Sequence, residues 1–351
     1  MKPPGRGSQT QRGSILIYTL WVCALLSIFV FSAGYSARQR LLVTGRLEDR
    51  VYLRDGAQSS AERALWAIHQ PRQETPYDTL KSPWSVNAHL FKEFHSSRVT
   101  VSVKKSGPAG ENPPKDNLAF AWGLVDEESK LNVNTQKNSQ MLRRLFQLAC
   151  RADDPLSAVL ADSVLDWIDA DDSVNPSGAE TPFYRSDKIP RVPRNAALRR
   201  YEELRDIQGM TPEIYASVLP YVTLFGDGKI NINTARATVL EAAGLPHALV
   251  EVILTYRLGN DSVPGTADDG VFSDISTVST ALETVQNLSA DDLNTLNSVV
   301  TGLLFKVTSD FYFLHATARL DSGRQELELE SVLGRESGIV SWRESFRVPQ
   351  T

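Results

Sequence analysis

The sequence predicts an α+β protein in which one long N-terminal helix packs on a small antiparallel sheet and a large all-α insertion interrupts that sheet. Three observations lead to this reading. An uncharged apolar run over residues 15–34 continues without proline to residue 68. Period-two strand patterns are confined to residues 98–125 and 311–333, whereas helical patterning fills most of 131–304. At 351 residues, the chain is too long for a single small core.

The apolar run ILIYTLWVCALLSIFVFSAG has 20 residues and no charge. At about 1.5 Å per residue it spans roughly 30 Å, the hydrocarbon thickness of a bilayer. Lys2, Arg6 and Arg12 precede it with no acid among them, which favours a cytoplasmic N-terminus. Arg38 and Arg40 follow it, so flanking charge leaves the orientation open. Ser32-Ala33-Gly34 could mimic a signal-peptidase site, although a secretory signal has a shorter apolar core. Beyond the span, Leu47, Val51, Ala57, Ala61, Ala64, Leu65 and Ile68 recur near helical spacing, opposite Arg, Glu, Asp and Gln. Gly45 and Gly56 each weaken such a helix by about 1 kcal/mol relative to Ala. Pro71 and Pro76 end it.

Short strands come next. Residues 98–103 alternate apolar and polar, 106–114 form a Gly/Pro loop, and 118–125 read as a second strand. At the far end, 311–320 and 325–333 read as two strands joined by Asp321-Ser322-Gly323.

The helical block opens on SKLNVNT (129–135) and repeats the phrase as GKININT (228–234). In both, the aliphatics (Leu131, Val133, Ile230, Ile232) suit short extended anchors facing a core. The asparagines (Asn132, Asn134, Asn231, Asn233) suit turn-satisfying side chains, and the closing Thr suits a helix start. Thr234 is therefore expected to cap a helix over 235–243, which closes on Gly244-Leu245-Pro246 ahead of a helix over 247–257. A second hairpin turns at Gly209, with Pro212 opening a helix over 213–219. These units give the block a SAM-like, helix-hairpin-helix-like character.

Taken in order, several features resemble the large minor pseudopilin of type II secretion systems, the protein K family. They are a Gly before an uncharged helix, DEESKLNVNT (126–135), LDWIDADD (165–172), Gly178-Ala179-Glu180 and Tyr184. The similarity runs over essentially the whole chain, and LDWIDADD is its most specific part. It implies a pilin-like fold and a non-enzymatic role at the tip of a periplasmic pseudopilus, with smaller minor pseudopilins of the I and J types as partners. The implied domains are a leader (1–13), a long helix (14–70, membrane part 15–34), a pilin-like α/β domain (71–130 and 305–351) and an inserted helical domain (131–304). The resemblance further implies that prepilin peptidase cuts between Gly13 and Ser14, and that Ser14 is N-methylated. Position five of the mature chain is then Tyr18, where most pilins carry Glu and the K type generally does not. The expected location is the inner membrane, single-pass, with the C-terminal domain periplasmic. The stripe Leu47, Val51, Ala61 and Leu65 is the expected partner-binding face of the helix.

Two acidic clusters stand out. Asp166, Asp169, Asp171, Asp172 and Glu180 lie at a helix end and the loop after it. Asp261, Asp268, Asp269 and Asp274 crowd a Gly/Pro loop. Calcium takes six to eight oxygens, often from carboxylates and loop carbonyls, but neither cluster has EF-hand spacing, and solvated loop acids and N-caps explain both equally well. Structural calcium in the family raises the second loop. The candidate ligands are Asp261, Asp268, Asp269 and Asp274, and Asp169, Asp171, Asp172 and Glu180.

Two other function classes fit the residues less well. A membrane-anchored helix-hairpin-helix DNA-binding protein would need a Gly-x-Gly turn with basic neighbours. Here Pro246 removes an amide, Glu241 and Glu251 lie nearby, and the net charge is −5. An enzyme would need a recognisable constellation. The five histidines are scattered, there is no His-Glu-x-x-His or Gly-x-Ser-x-Gly, and FGDGK (225–229) lacks P-loop spacing. Cys23 and Cys150 suit neither a zinc site nor a disulfide.

Overall fold

The computed structural model describes residues 12–69, 76–85, 88–105, 122–186, 191–301, 304–323 and 325–347. The chain divides into two compact units, Met1–Tyr52 and Leu53–Thr351. Sheet and helical block therefore belong to one compact unit.

The first unit consists of the helix α1 (Arg12–Ile68) up to Tyr52. Its apolar side chains are exposed, from Ile15 at 66% to Phe31 at 79%, as suits a lipid-facing surface. By length and composition, Ile15–Ile68 is able to cross a membrane.

In the second unit the last turns of α1 bury a narrow stripe of mostly small residues, including Leu53, Gly56, Ala57, Ser60, Ala61, Ala64 and Ile68. A Cβ at Gly56 would lie 2.9 Å from Val101 and 3.1 Å from Val99, so the missing side chain lets the helix settle on the sheet. The short helix α2 (Ala88–Phe91) leads into β1 (Phe94–Ser96), β2 (Val99–Val103) and β3 (Val125–Asp126). The strand expected over 118–125 is present only at its end, and 118–121 lie outside the described residues.

The insertion begins at β4 (Leu131–Asn132) and continues through α3 (Gln140–Cys150), α4 (Asp154–Ile168), α5 (Thr181–Ser186) and α6 (Pro212–Val218) to β5 (Val222–Thr223). β4 and β5 pair in parallel and close a first module. The second module runs from β6 (Ile230–Asn231) through α7 (Ala237–Ala242), α8 (His247–Leu258), α9 (Val278–Glu283) and α10 (Ala290–Thr301) to β7 (Phe305–Lys306), and β6 pairs in parallel with β7. Each copy of the repeated phrase thus opens a module, and a two-residue strand clasp closes it. The modules share one core, in which Leu131, Val133, Ile230 and Ile232 are buried.

The chain returns to the sheet as β8 (Phe311–Leu320), β9 (Glu326–Gly334) and β10 (Gly338–Arg347), giving the order β1-β2-β8-β9-β10 with β3 also on β8. The sequence reading missed β1 and β10. The turn at Gly338 (φ 70°) and the β-rich Ile-Val-Ser-Trp after it were the available signals for β10.

Two expectations are corrected. Thr234 does not cap the following helix; Arg236 holds the N-cap position of α7, and the Thr234 hydroxyl donates to Asp126 at 2.5 Å. The stripe Leu47, Val51, Ala61, Leu65 is not one free face. Leu47 and Val51 are exposed, but Ala61 is wholly buried within its own unit and Leu65 is half-buried. The small side chain at position 61 serves close packing.

Candidate functional site

The repeated phrase forms the hub of the insertion. Asn132 Oδ1 accepts from its own Asn134 N at 2.9 Å, while its Nδ2 donates to the carbonyls of Phe225 and Gly226, both at 2.9 Å. Asn231 repeats this geometry: Oδ1 accepts from Asn233 N at 3.0 Å. Its Nδ2 reaches Asp78 O, Asp126 Oδ2 and Ser309 Oγ at 3.1, 3.1 and 2.9 Å. The second asparagine of each copy bridges to a distant loop. Asn134 exchanges hydrogen bonds with Leu198, and Asn233 with Phe272. All four are structural turn residues, which is why Asn, with an acceptor and two donors, recurs at each place.

Around this hub lies a buried polar junction with the sheet. Asp126 accepts from Ser309 Oγ at 2.6 Å and Thr234 Oγ1 at 2.5 Å, and burial pushes its carboxyl up to about 6. Burial also pushes Glu128 up to about 7, even with Lys306 at 2.6 Å. Asp78 pairs with Arg335 at 2.6 Å. Only the acids before the phrase signalled this network in the sequence.

The first acidic cluster forms at the end of α4. Asp153 caps that helix by accepting from Leu156 N, and Pro155 sits in its first turn. Asp162 and Asp166, four apart, share the buried face, and Asp169 is the C-cap. The loop then returns Glu180 to the same place. One carboxylate oxygen from each of Asp166, Asp169 and Glu180 lies within 4.8 Å of the others. Asp166 and Glu180 are 0% and 1% exposed. Asp166 accepts from the Asn175 side chain at 2.5 Å. Asp169 Oδ1 and Glu180 Oε1 are buried without a hydrogen-bond partner. Burial raises all three carboxyls, Glu180 to about 7, and the neighbouring aspartates push the same way. The adjacent Arg143 is held by Asp162 at 3.1 Å. A Cβ at Gly178 would lie 1.9 Å from Asp166 Oδ2, so only glycine lets the loop close over the group. Converging carboxylates with orphaned buried oxygens match the donor set of a hard divalent cation.

Asp171 and Asp172 lie outside this group. Asp171 accepts from Ser173 N at 2.8 Å, and Asp172 accepts from Thr181 Oγ1 and Asn195 Nδ2 at 3.2 and 3.1 Å, tying the loop shut. Asp166 was not among the sequence-based ligand candidates; its i, i+3 spacing to Asp169 was the signal that could have included it.

The second cluster gathers Asp261, Asp268 and Asp269, with Asp274 apart from it. Here the loop already supplies donors. Asp268 accepts from Thr266 Oγ1 at 2.7 Å and Asn260 N at 2.7 Å, and these bonds pull its carboxyl down to about 2. Asp269 accepts from Gly265 N at 2.5 Å, and Lys81 Nζ donates to the carbonyls of Ala267 and Asp269 at 3.1 and 2.8 Å. Asp274 caps the 3₁₀ turn Ile275–Thr277 by accepting from Ser276 N at 2.8 Å. These carboxylates staple their loop, and Asp261, Asp268 and Asp269 still bring one oxygen each within 4.8 Å of the others; the orphaned buried carboxylate oxygens lie in the first cluster.

The hairpin considered for DNA binding spends its amides internally. Gly244 N donates to Glu241 O at 2.9 Å and Leu245 N to Leu240 O at 3.2 Å. A phosphate would find neither donor free. Of the expected processing site, Gly13 and Ser14 fall in the first turn of α1, while residues 1–11 lie outside the described residues.

Comparison with known proteins covers much of the chain. The family model described as type II secretion system (T2SS), protein K, matches residues 122–227, the stretch from β3 past the first module. A type II secretion system protein K of Klebsiella pneumoniae is 30% identical over 239 residues, covering 66% of this chain and 70% of that protein. A putative type II secretion system protein K of Escherichia coli (strain K12) is 26% identical over 252 residues, covering 65% of this chain and 67% of that protein. A chain in the crystal structure of the GspK-GspI-GspJ complex from the enterotoxigenic Escherichia coli type 2 secretion system shares the fold. It superposes with a TM-score of 0.65 at 19% identity, covering 86% of this chain and 99% of that one. Matching at this extent, in a relative that is 30% identical over most of its length, places the chain in the type II secretion system protein K family.

Proposed function

We propose that this chain is the minor pseudopilin that caps the tip of a type II secretion pseudopilus and helps to initiate its assembly. Membership of the protein K family carries this reading. The long apolar α1 is a candidate membrane anchor, here assigned to the inner membrane with its N-terminus cytoplasmic and the second unit periplasmic. The partners are the smaller I-type and J-type minor pseudopilins. The neighbour described as a GspK-GspI-GspJ complex supports that choice. Prepilin peptidase removes the leader between Gly13 and Ser14, and Ser14 is then N-methylated. Tyr18, uncharged at the fifth mature position, suits a subunit with no neighbour ahead of it, since a Glu in lipid needs a partner. Asp166, Asp169 and Glu180 would hold a calcium ion that neutralises their mutual repulsion and fixes the loop over 169–180.

The N-terminal residue of membrane-extracted protein tests the processing step. Wild type should begin at Ser14, and Gly13→Leu should retain the basic leader. A wild-type start at Met1 or near Gly34 would replace this reading with an ordinary anchor or a cleaved secretory signal.

A further inference from the structure

Between the sheet and the first module lies a cleft of about 540 Å³ that the pseudopilin role leaves unassigned. Its size falls within the roughly 300–1,000 Å³ of ligand pockets. The floor is Phe313 and Val332, cross-strand partners on β8 and β9, exposed by only 4% and 2%. Tyr201 and Phe225 from the module face it, their ring centroids 6.4 Å apart. The Tyr201 hydroxyl is committed to Glu127 Oε2 at 2.6 Å, so the cleft meets its ring. Trp342, on the outermost strand β10, is 37% exposed at the open side.

The rim is basic, although the chain as a whole is acidic at −5. Glu202 and Glu330, the two acids lining the cleft, both pair with Arg343. Arg199 and Arg200 stand exposed beside them, and among the described residues neither guanidinium has an ion-pair partner. An aromatic floor bordered by two adjacent unpaired guanidiniums fits a ligand with apolar groups next to carboxylates. Guanidinium binds carboxylate through paired, charge-assisted hydrogen bonds. Among the described residues, β10 is the last strand of the sheet order on that side.

We infer that this cleft is a docking groove for an extended protein segment in which large apolar side chains adjoin acidic residues. The apolar side chains seat on Tyr201, Phe225 and Phe313, and the carboxylates engage Arg199 and Arg200. The inference concerns a surface of the second unit and holds whether or not the chain sits at a filament tip.

The test uses the full chain in detergent micelles and two fluorescein-labelled, C-terminally amidated peptides, Gly-Gly-Phe-Leu-Glu-Glu and Gly-Gly-Phe-Leu-Lys-Lys, read by fluorescence anisotropy. The acidic peptide should bind saturably, and at least about tenfold tighter than the basic one. Arg199→Glu combined with Arg200→Glu should weaken it by about tenfold or more. Both side chains are exposed, so the fold should survive, with an unchanged melting temperature as the control. Trp342→Ala should also weaken binding, which pure surface attraction would not produce. Equal affinity for the two peptides, or wild-type affinity in either variant, would overturn the inference.

Discussion

Asn132 and Asn231 hold the same place in two copies of one turn, yet their burial differs in consequence. Asn132 satisfies two carbonyls near a loop, whereas Asn231 is wholly buried and donates to three acceptors at the sheet junction. Asn231→Ala removes three contacts, of which Asp126 keeps other donors in Ser309 and Thr234, and should cost about 3 kcal/mol, against about 2 kcal/mol for Asn132→Ala, read by denaturant unfolding. Equal, small losses would mean that water replaces the amide. At Glu180, calcium should raise the melting temperature of wild type by mass action. Glu180→Gln should remove most of that rise, and Asp274→Asn should leave it intact, because Asp274 caps a separate turn. The Glu180 carboxyl sits near 7 through burial, so calcium must displace a proton below that pH. The calcium response should therefore be larger at about pH 8 than at about pH 5. Melting curves that coincide with calcium and with chelator would leave the loop without a metal role.

At the scale of elements, the two glycines of α1 separate propensity from packing. A Cβ at Gly45 meets nothing within 4 Å, whereas one at Gly56 meets Val101 at 2.9 Å. Gly45→Ala should make the helix of the isolated chain more stable by about 1 kcal/mol. Gly56→Leu should destabilise the second unit by about 2 kcal/mol or more, despite its better helix propensity, by forcing the helix off the sheet. Thermal circular dichroism distinguishes the two, and stabilisation by both would contradict the packing assigned to Gly56. These positions also mark what the sequence made legible. Periodicity located α1, β2, β8 and β9 and the helix hairpins, because those elements carry their own amphipathic pattern. It did not reveal that Ala61 is buried within its own unit, since an alanine stripe reads the same against the chain's own core as against a partner helix. The parallel clasps β4–β5 and β6–β7 were out of reach too, being two residues long and paired across about ninety positions or fewer. In the acidic clusters the residue types were legible, but which loop leaves oxygens unsatisfied depends on burial. Asp268 has Thr266 and two backbone amides, whereas Glu180 Oε1 has no such donor.

At the scale of the whole molecule, bulk favours a cap. In a pilus shaft each long helix joins a central bundle and each globular part tiles the outside. Here the second unit carries an insertion that runs from β4 to β7, residues 131–306, between strands of its own sheet. Such bulk would overhang the place of a following subunit, so the chain should end a filament instead of repeating along it. Leu47 and Val51, exposed on α1, remain available to partner helices, whereas Ala61 is not. The most direct measurement is to label the insertion in assembled pseudopili, with gold on a tag in an exposed loop of the second module, and to locate it by electron microscopy. Label is expected at one end of each filament; label distributed along the shaft would contradict the cap.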